Sequence, residues 1–279
     1  MLPECRAVPV VPLIVNTNHA HQNVIHRAPA EIETSIEYPR CSIVIPTLQE
    51  GKLLARTLDQ FDASLRRLYN LEVIVSDGGS TDDTIAVARS HSACTVEVSP
   101  GSNQNIAQGR NEGARHAHGD VLIFINADVM FEDATTFFAR VVELMRDRRI
   151  VAATCNVNIY PGEATTLDWV FHNFFNGYFW LLNILGMGMG RGECHIVRRS
   201  IFEHIGGYNE SIAAGEDYEL FLRLHRMGAI RFIRTLTVFE SPRRFRKCGY
   251  VRISVLWFLN AMSVLLFHRS FVDRWPPIR

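Results

Sequence analysis

The sequence has no excess of either charge: 29 Lys and Arg stand against 29 Asp and Glu in 279 residues. The molecule as a whole is no electrostatic trap for nucleic acid, and no nucleic-acid partner is expected. Cysteine is sparse, with six residues scattered at 5, 41, 94, 155, 194 and 248. There is no C-x-x-C and no Cys/His spacing that would hold zinc. Several of these thiols sit in apolar runs, where they act as small hydrophobes, and that usage points to a reduced, cytoplasmic setting. The opening stretch MLPECRAVPVVPLIV has an early acid, prolines inside its apolar part and no basic n-region or small-residue cleavage site, so it does not read as a secretory signal. A G-x-x-x-x-G-K-[ST] loop is missing, which argues against a P-loop NTPase. Glycines 186, 188, 190 and 192 do not complete G-x-G-x-x-G, because Arg191 and Glu193 occupy the last positions of the possible matches. They also follow a helical segment instead of a first strand, a poor fit to a dinucleotide-dependent oxidoreductase. No internal repeat is evident.

What is present is the composition of a well-cored globular chain, 47% hydrophobic and 21% charged, of a length that suits one large α/β domain. Short apolar runs at 42–46, 71–76, 94–98 and 121–125 read as strands. Between them lie segments with helical spacing: Leu54 to Leu68, residues 104–117, and Phe137 to Met145. Strands alternating with helices imply β-α-β units and a mainly parallel sheet, which binds ligands beyond the carboxyl ends of its strands. Three polar clusters fall at such ends: Pro46–Glu50, Asp77–Ser80 and Asn126–Asp128. In the second half, residues 166–190 are densely aromatic and then glycine-rich. A strand at 192–197, a short helix at 199–205, a helix opened by Gly215-Glu216-Asp217, a strand at 231–239 and an apolar stretch at 251–267 follow.

Each candidate group has two readings. Asp77, at a strand end before Gly78 and Gly79, either accepts from a base or ribose or organises its own turn. Asn126 and Asp128 place an amide and a carboxylate on one side of a strand end; they are hard ligands for Mg²⁺ or Mn²⁺ carrying phosphates, or a simple cap. Glu216-Asp217 either complements a helix dipole or supplies a general base whose pKa is raised by its neighbour.

Taken in order, SIVIPTLQE at 42–50, EVIVSDGGSTDDT at 72–84, GRNEGARHAHGDVLIFINAD at 109–128 and GRGECHIVRRSIFEHIGGYNESIAAGEDYELFLRLHRMG at 190–228 resemble glycosyltransferase family 2. The resemblance implies the GT-A fold, Rossmann-like with a mainly parallel sheet flanked by helices, and inverting, metal-dependent transfer from a nucleoside-diphosphate sugar to a sugar or lipid-linked acceptor, as in the building of cell-envelope polysaccharide. Position by position it implies that Pro46, Thr47, Glu50, Asp77, Gly79, Arg110 and Asn126 border the donor nucleotide. It also implies that Asp128 is the last acid of a D-x-D metal motif and that Asp217 is the base, with Glu216 beside it. Asn126 replaces the first acid of D-x-D, the one feature that favours a catalytically inactive sugar-nucleotide-binding or scaffold protein. The Q-x-x-R-W motif of processive synthases is absent, which implies one sugar per encounter; Arg243 and Arg244 lie roughly where it would be and are expected at the diphosphate. A glycine-rich phosphate loop, as in sugar-nucleotide pyrophosphorylases, is not supplied by IPTLQEGK.

The expected organisation is an N-terminal extension at 1–38, the GT-A domain at 39–240 and a basic, apolar helical segment at 241–279. The segment 251–267 and the aromatic stretch at 169–182 either pack as core or lie on an anionic membrane surface, placing the chain peripherally on the inner face of the cytoplasmic membrane.

Overall fold

The computed structural model describes residues 39–97 and 104–272; the extension expected at 1–38 lies outside them. The first half is strand β1 (Cys41–Thr47), helices α1 (Gly51–Leu58) and α2 (Ala63–Leu68), β2 (Leu71–Asp77), α3 (Thr84–Ser90), β3 (Cys94–Glu97), α4 (Ile106–Arg115), β4 (Val121–Ile125), β5 (Met130–Phe131) and α5 (Ala134–Leu144). The second half is β6 (Ile150–Ile159), α6 (Thr166–Ile184), β7 (Cys194–Arg198), α7 (Arg199–His204), α8 (Glu216–His225), β8 (Ala229–Glu240), α9 (Arg243–Cys248) and α10 (Tyr250–Phe267).

One eight-stranded sheet runs in the order β3-β2-β1-β4-β7-β6-β8-β5. The half from β3 to β4 is wholly parallel, as alternating strands and helices dictate. Beyond β4 the sheet is mixed: β7 is antiparallel to β4 and β6, β8 is parallel to β6, and β5 is antiparallel to β8. Strand order reverses at β1, which pairs with β2 on one side and β4 on the other, so a crevice opens past Thr47 and Ile125.

Both faces of the sheet are covered. Alternation sends Ile43, Ile45, Val73, Val75, Ile123 and Ile125 into one core with Leu54, Leu58, Phe61, Phe137 and Phe138. The intervening Val44, Ile74, Leu122 and Phe124 enter a second core with Phe202, Tyr208, Leu220 and Phe221. The stripe Leu54 to Leu68 is broken into two helices, because Asp62 caps a new start by accepting from the Leu65 N–H at 2.7 Å. Leu68 is left exposed as a result. The long strand β6 was not legible as a strand in the sequence reading.

Helix α4 lies close on the sheet through glycine. A Cβ on Gly113 would fall 2.5 Å from Val44 Cγ1 and 3.2 Å from Ser76 Cβ. That approach seats Arg110, three residues earlier, beneath the crevice. Gly113→Val is expected to cost about 3 kcal/mol by overpacking. Gly162→Ala, where nothing lies within 4 Å of the new Cβ, should stay within about 0.5 kcal/mol of the parent; urea denaturation of both checks this.

Candidate active site

The crevice deepens into a cleft of about 600 Å³. The chain that leaves β4 forms its floor. There the Thr57 hydroxyl donates to Ala127 O (2.7 Å), the Gln60 amide to Val129 O (3.0 Å) and the Tyr160 hydroxyl to Asp128 O (2.5 Å). These bonds fix the backbone so that Asn126 and Asp128 face the cleft. On the opposite wall, Gly215 at φ +87 turns the chain into α8, and Glu216 and Asp217 stand on the first turn, where the helix dipole favours them.

Arg110 joins the two walls. Its guanidinium is fully buried and donates to Glu216 Oε1 (2.9 Å), Asn126 Oδ1 (3.2 Å) and Gly192 O (2.6 Å). The Arg110 side chain also lines the cleft, so it bridges the two walls from a place within the site. Asn126 is correspondingly the neutral acceptor at one end of that bridge.

Asp217 is half-buried and accepts the Tyr218 N–H (2.9 Å). Burial, reinforced by the charge of Glu216, pushes its carboxyl up to about 8, with Arg110 and the Tyr218 N–H opposing. Across the cleft, Asp128 is pushed up to about 6, first by burial and then by Glu50 and Glu193; Arg243 opposes. Arg243 forks onto both oxygens of Glu50 at 2.9 Å and reaches Asp128 Oδ2 at 3.2 Å. Pro46, Thr47, Glu50, Arg243 and Arg244 all line the cleft.

Asp77 does not. Its carboxylate is 1% exposed and accepts from the Thr47 hydroxyl (3.0 Å), the Gly79 N–H (2.9 Å) and the Ser80 N–H (2.7 Å). These bonds organise the turn after β2, and Gly79, at φ +93, belongs to that turn as well. Asp77 and Gly79, expected at the donor nucleotide, are thus not among the residues that line the cleft here; Asp77 ties the end of β1 to the turn after β2. Gly78 does line the cleft; a Cβ there would meet Thr47 O and Gln104 Oε1 at 3.3 Å.

Three charged residues escaped the sequence reading. Arg191, Glu193 and Glu240 line the cleft, with Arg191 Nη2 at 3.2 Å from Glu240 and Nε at 3.4 Å from Glu193. Glu240 ends β8 and so carried the same strand-end signal as Asp128. The aromatic lining of Phe179, Tyr218, Phe245 and Trp257 carried no sequence pattern that set it apart from core.

Among the described residues no three His, Cys, Asp or Glu side chains converge on a metal position. A single carboxylate with raised proton affinity, in acidic surroundings, instead fits a hard cation that draws its remaining ligands from phosphate oxygens and water. Asp128, buried and also paired with Arg243, is the residue here that could supply such a carboxylate.

A carboxylate raised from an ordinary value near 4 to about 8 opposes folding once it must ionise, so its stabilising protonated form is lost as pH rises through that window. Asp217→Asn removes the titration. The variant is expected to match wild type in melting temperature below about pH 4 and to exceed it increasingly up to about pH 8. Thermal melts across this range check it, and parallel curves would contradict it.

The family model for glycosyl transferase family 2 matches residues 42–206, more than half of the chain. An O-antigen chain rhamnosyltransferase from Salmonella anatum is 27% identical over 200 residues, covering 68% of this chain; the chain spans 62% of that protein's length. A PGL/p-HBAD biosynthesis glycosyltransferase from Mycobacterium bovis is 28% identical over 247 residues, covering 85% of this chain and 84% of the relative. Among solved structures, a mannosyltransferase from Pyrobaculum calidifontis in complex with GDP-Man and Mn²⁺ superposes with a TM-score of 0.63 at 21% identity, over 81% of this chain and 63% of that one. That likeness shows the GT-A fold. With four ordered motifs, this fold and a family model over most of its described core, the chain belongs to glycosyl transferase family 2.

Proposed function

We propose that the chain transfers one sugar per encounter from a nucleoside-diphosphate sugar to an acceptor hydroxyl, with inversion, and that the acceptor is lipid-linked. Family membership supports sugar transfer as such. The observation that carries the finer reading is that Asp128 and Asp217 open onto one cleft from opposite walls, tied by a buried arginine.

In this reading the nucleotide lies along Pro46, Thr47 and Gly78, above the turn that Asp77 and Gly79 hold in place. The diphosphate approaches Asp128, Arg243 and Arg244. A divalent cation, Mg²⁺ or Mn²⁺, would be held by Asp128 together with phosphate oxygens, and when bound would offset the charge that grows on the leaving diphosphate. Arg243, held at the cleft by Glu50 and Asp128, can turn part of its guanidinium toward the diphosphate. Asp217 accepts the proton of the acceptor hydroxyl as its oxygen attacks the anomeric carbon on the face opposite the leaving group. The bond to the diphosphate breaks and the configuration inverts. Glu216 acts through Arg110: it holds the bridge in place and its charge raises the basicity of Asp217.

A panel of nucleoside-diphosphate sugars with Mn²⁺ or Mg²⁺ should produce a thermal shift for the true donor. Asp217→Asn should keep that shift while losing transfer by about 10²- to 10⁴-fold. A variant with undiminished transfer would sink the assignment of Asp217 as the base, whereas a donor shift with no transfer by the wild type would favour an inactive sugar-nucleotide-binding protein.

The same base sets the pH profile. kcat/KM should rise with pH and level off above about 8, because only the carboxylate accepts a proton. Glu216→Gln removes a like charge and frees Arg110 to face Asp217, so the ascending limb should move to lower pH by about one unit or more. An unmoved limb would separate Asp217 from the profile.

A further inference from the structure

Two surface helices bury several polar side chains while exposing broad apolar stripes. In α6 three polar residues, Asp168, His172 and Asn176, are buried along with Phe179 and Leu182. Asp168 is held by Arg246 and Tyr250. Asn176 accepts the Val157 N–H at 3.0 Å and donates to Val157 O at 3.1 Å. The opposite face carries Leu167, Val170, Phe174, Tyr178 and Leu181, continued by the C-cap Leu185, an exposed apolar stripe at helical spacing. In α10, Asn260 and Ser263 are buried with Ile253 and Val264, while Val251, Val255, Phe258, Met262 and Leu265 form a second exposed stripe. A helix that faces water distributes its residues the other way. Phe174 and Phe258 are 66% and 64% exposed, which excludes an ordinary core for these faces.

The helices lie side by side, with the rings of Phe175 and Trp257 5.3 Å apart and those of Phe171 and Tyr250 4.9 Å apart. Their stripes therefore belong to one region, broader than the scattered apolar exposure of a soluble monomer. Its charge is of one sign. Helix α10 contains no acid, and the single acid of α6, Asp168, is buried against Arg246. Lys247, Arg252 and Arg269 are exposed around it. A second copy of the chain would bring these cations face to face, whereas anionic headgroups would neutralise them.

The inner sides of the same helices reach the cleft, where Phe179, Trp257 and Asn260 line one end. A Cβ on Gly215, just before Glu216, would lie 3.2 Å from Val264 Cγ2 of α10. Eighteen residues extend about 27 Å, and by length and composition α10 could just cross a bilayer; but Ile253, Asn260, Ser263 and Val264 on one side are buried against the protein, which suits a helix lying along a membrane surface.

We propose that the α6–α10 face rests on an anionic lipid bilayer, with both apolar stripes in the headgroup–acyl boundary and the Phe179–Trp257 end of the cleft opening at that surface, so that the acceptor enters from the membrane. Only the identity of what enters rests on the transfer reading above; the docking stands on the helices themselves.

Flotation of the full-length protein with phosphatidylcholine vesicles, with and without phosphatidylglycerol, needs neither donor nor acceptor. Wild type is expected to float with the anionic vesicles, and Phe174→Glu combined with Phe258→Glu to lose about tenfold in partitioning with an unchanged circular dichroism spectrum. Arg252→Glu with Arg269→Glu, on exposed side chains, should abolish the preference for phosphatidylglycerol and serves if the first pair fails to fold. Wild type left in the dense fraction with both compositions overturns the proposal. So does a wild-type dimer that the Phe174 and Phe258 substitutions split without any change in flotation. Flotation without sugar transfer would remove the enzymatic reading alone; transfer without flotation would remove the docking alone.

Discussion

A guanidinium cannot shed its charge, so a fully buried arginine obliges the chain to bring it partners. Arg110 draws those partners from the end of β4, the loop before β7 and the first turn of α8. They are residues 126, 192 and 216, far apart in sequence, and the cleft exists because they meet at one side chain. The close seat of α4 at Gly113 sets where the arginine sits, and the left-handed turn at Gly215 sets where the acids stand. Removing any one partner leaves a buried cation short of acceptors, which couples the integrity of the site to the stability of the fold.

The rest of the cleft is a balance of opposed charges. Glu50, Asp128, Glu193 and Glu240 face Arg191, Arg243 and Arg244. Burial and mutual repulsion raise the proton affinity of Asp128, and the arginines only partly relieve it. Such a lining suits a ligand that brings both an anionic diphosphate and a cation, since each then finds a preformed counter-charge. On the far side, aromatic residues replace charged ones, and the cleft passes toward α6 and α10. The proposed function would place donor chemistry at the charged end of this cavity and acceptor entry at the aromatic end.

Much of this was legible in the sequence. Alternating apolar runs and helical stripes give the parallel half of the sheet, and the strand ends locate Asn126, Asp128 and the Pro46–Glu50 loop. The limits are equally physical. Asp77 has the same strand-end signal as Asp128, and only the positions of Thr47, Gly79 and Ser80 reveal that its oxygens already hold donors from the end of β1 and from the turn. Arg191, Glu193 and Glu240 become a cleft lining through pairing across β6, β7 and β8, long-range contacts without a local signature. The pattern of α6 was visible as aromatic density, but its exposed stripe depends on which face meets the sheet. Burial decides that, and periodicity alone does not.

The central claim is that Asp217 is held beside a buried Arg110–Glu216 pair in a cleft dry enough to make it a base. Carboxyl-carbon NMR titration of Asp217, assigned by the resonance missing from Asp217→Asn, tests it directly. A midpoint near 8 is the predicted result. A midpoint near the ordinary carboxylate value of about 4 would place Asp217 in open solvent and contradict the account.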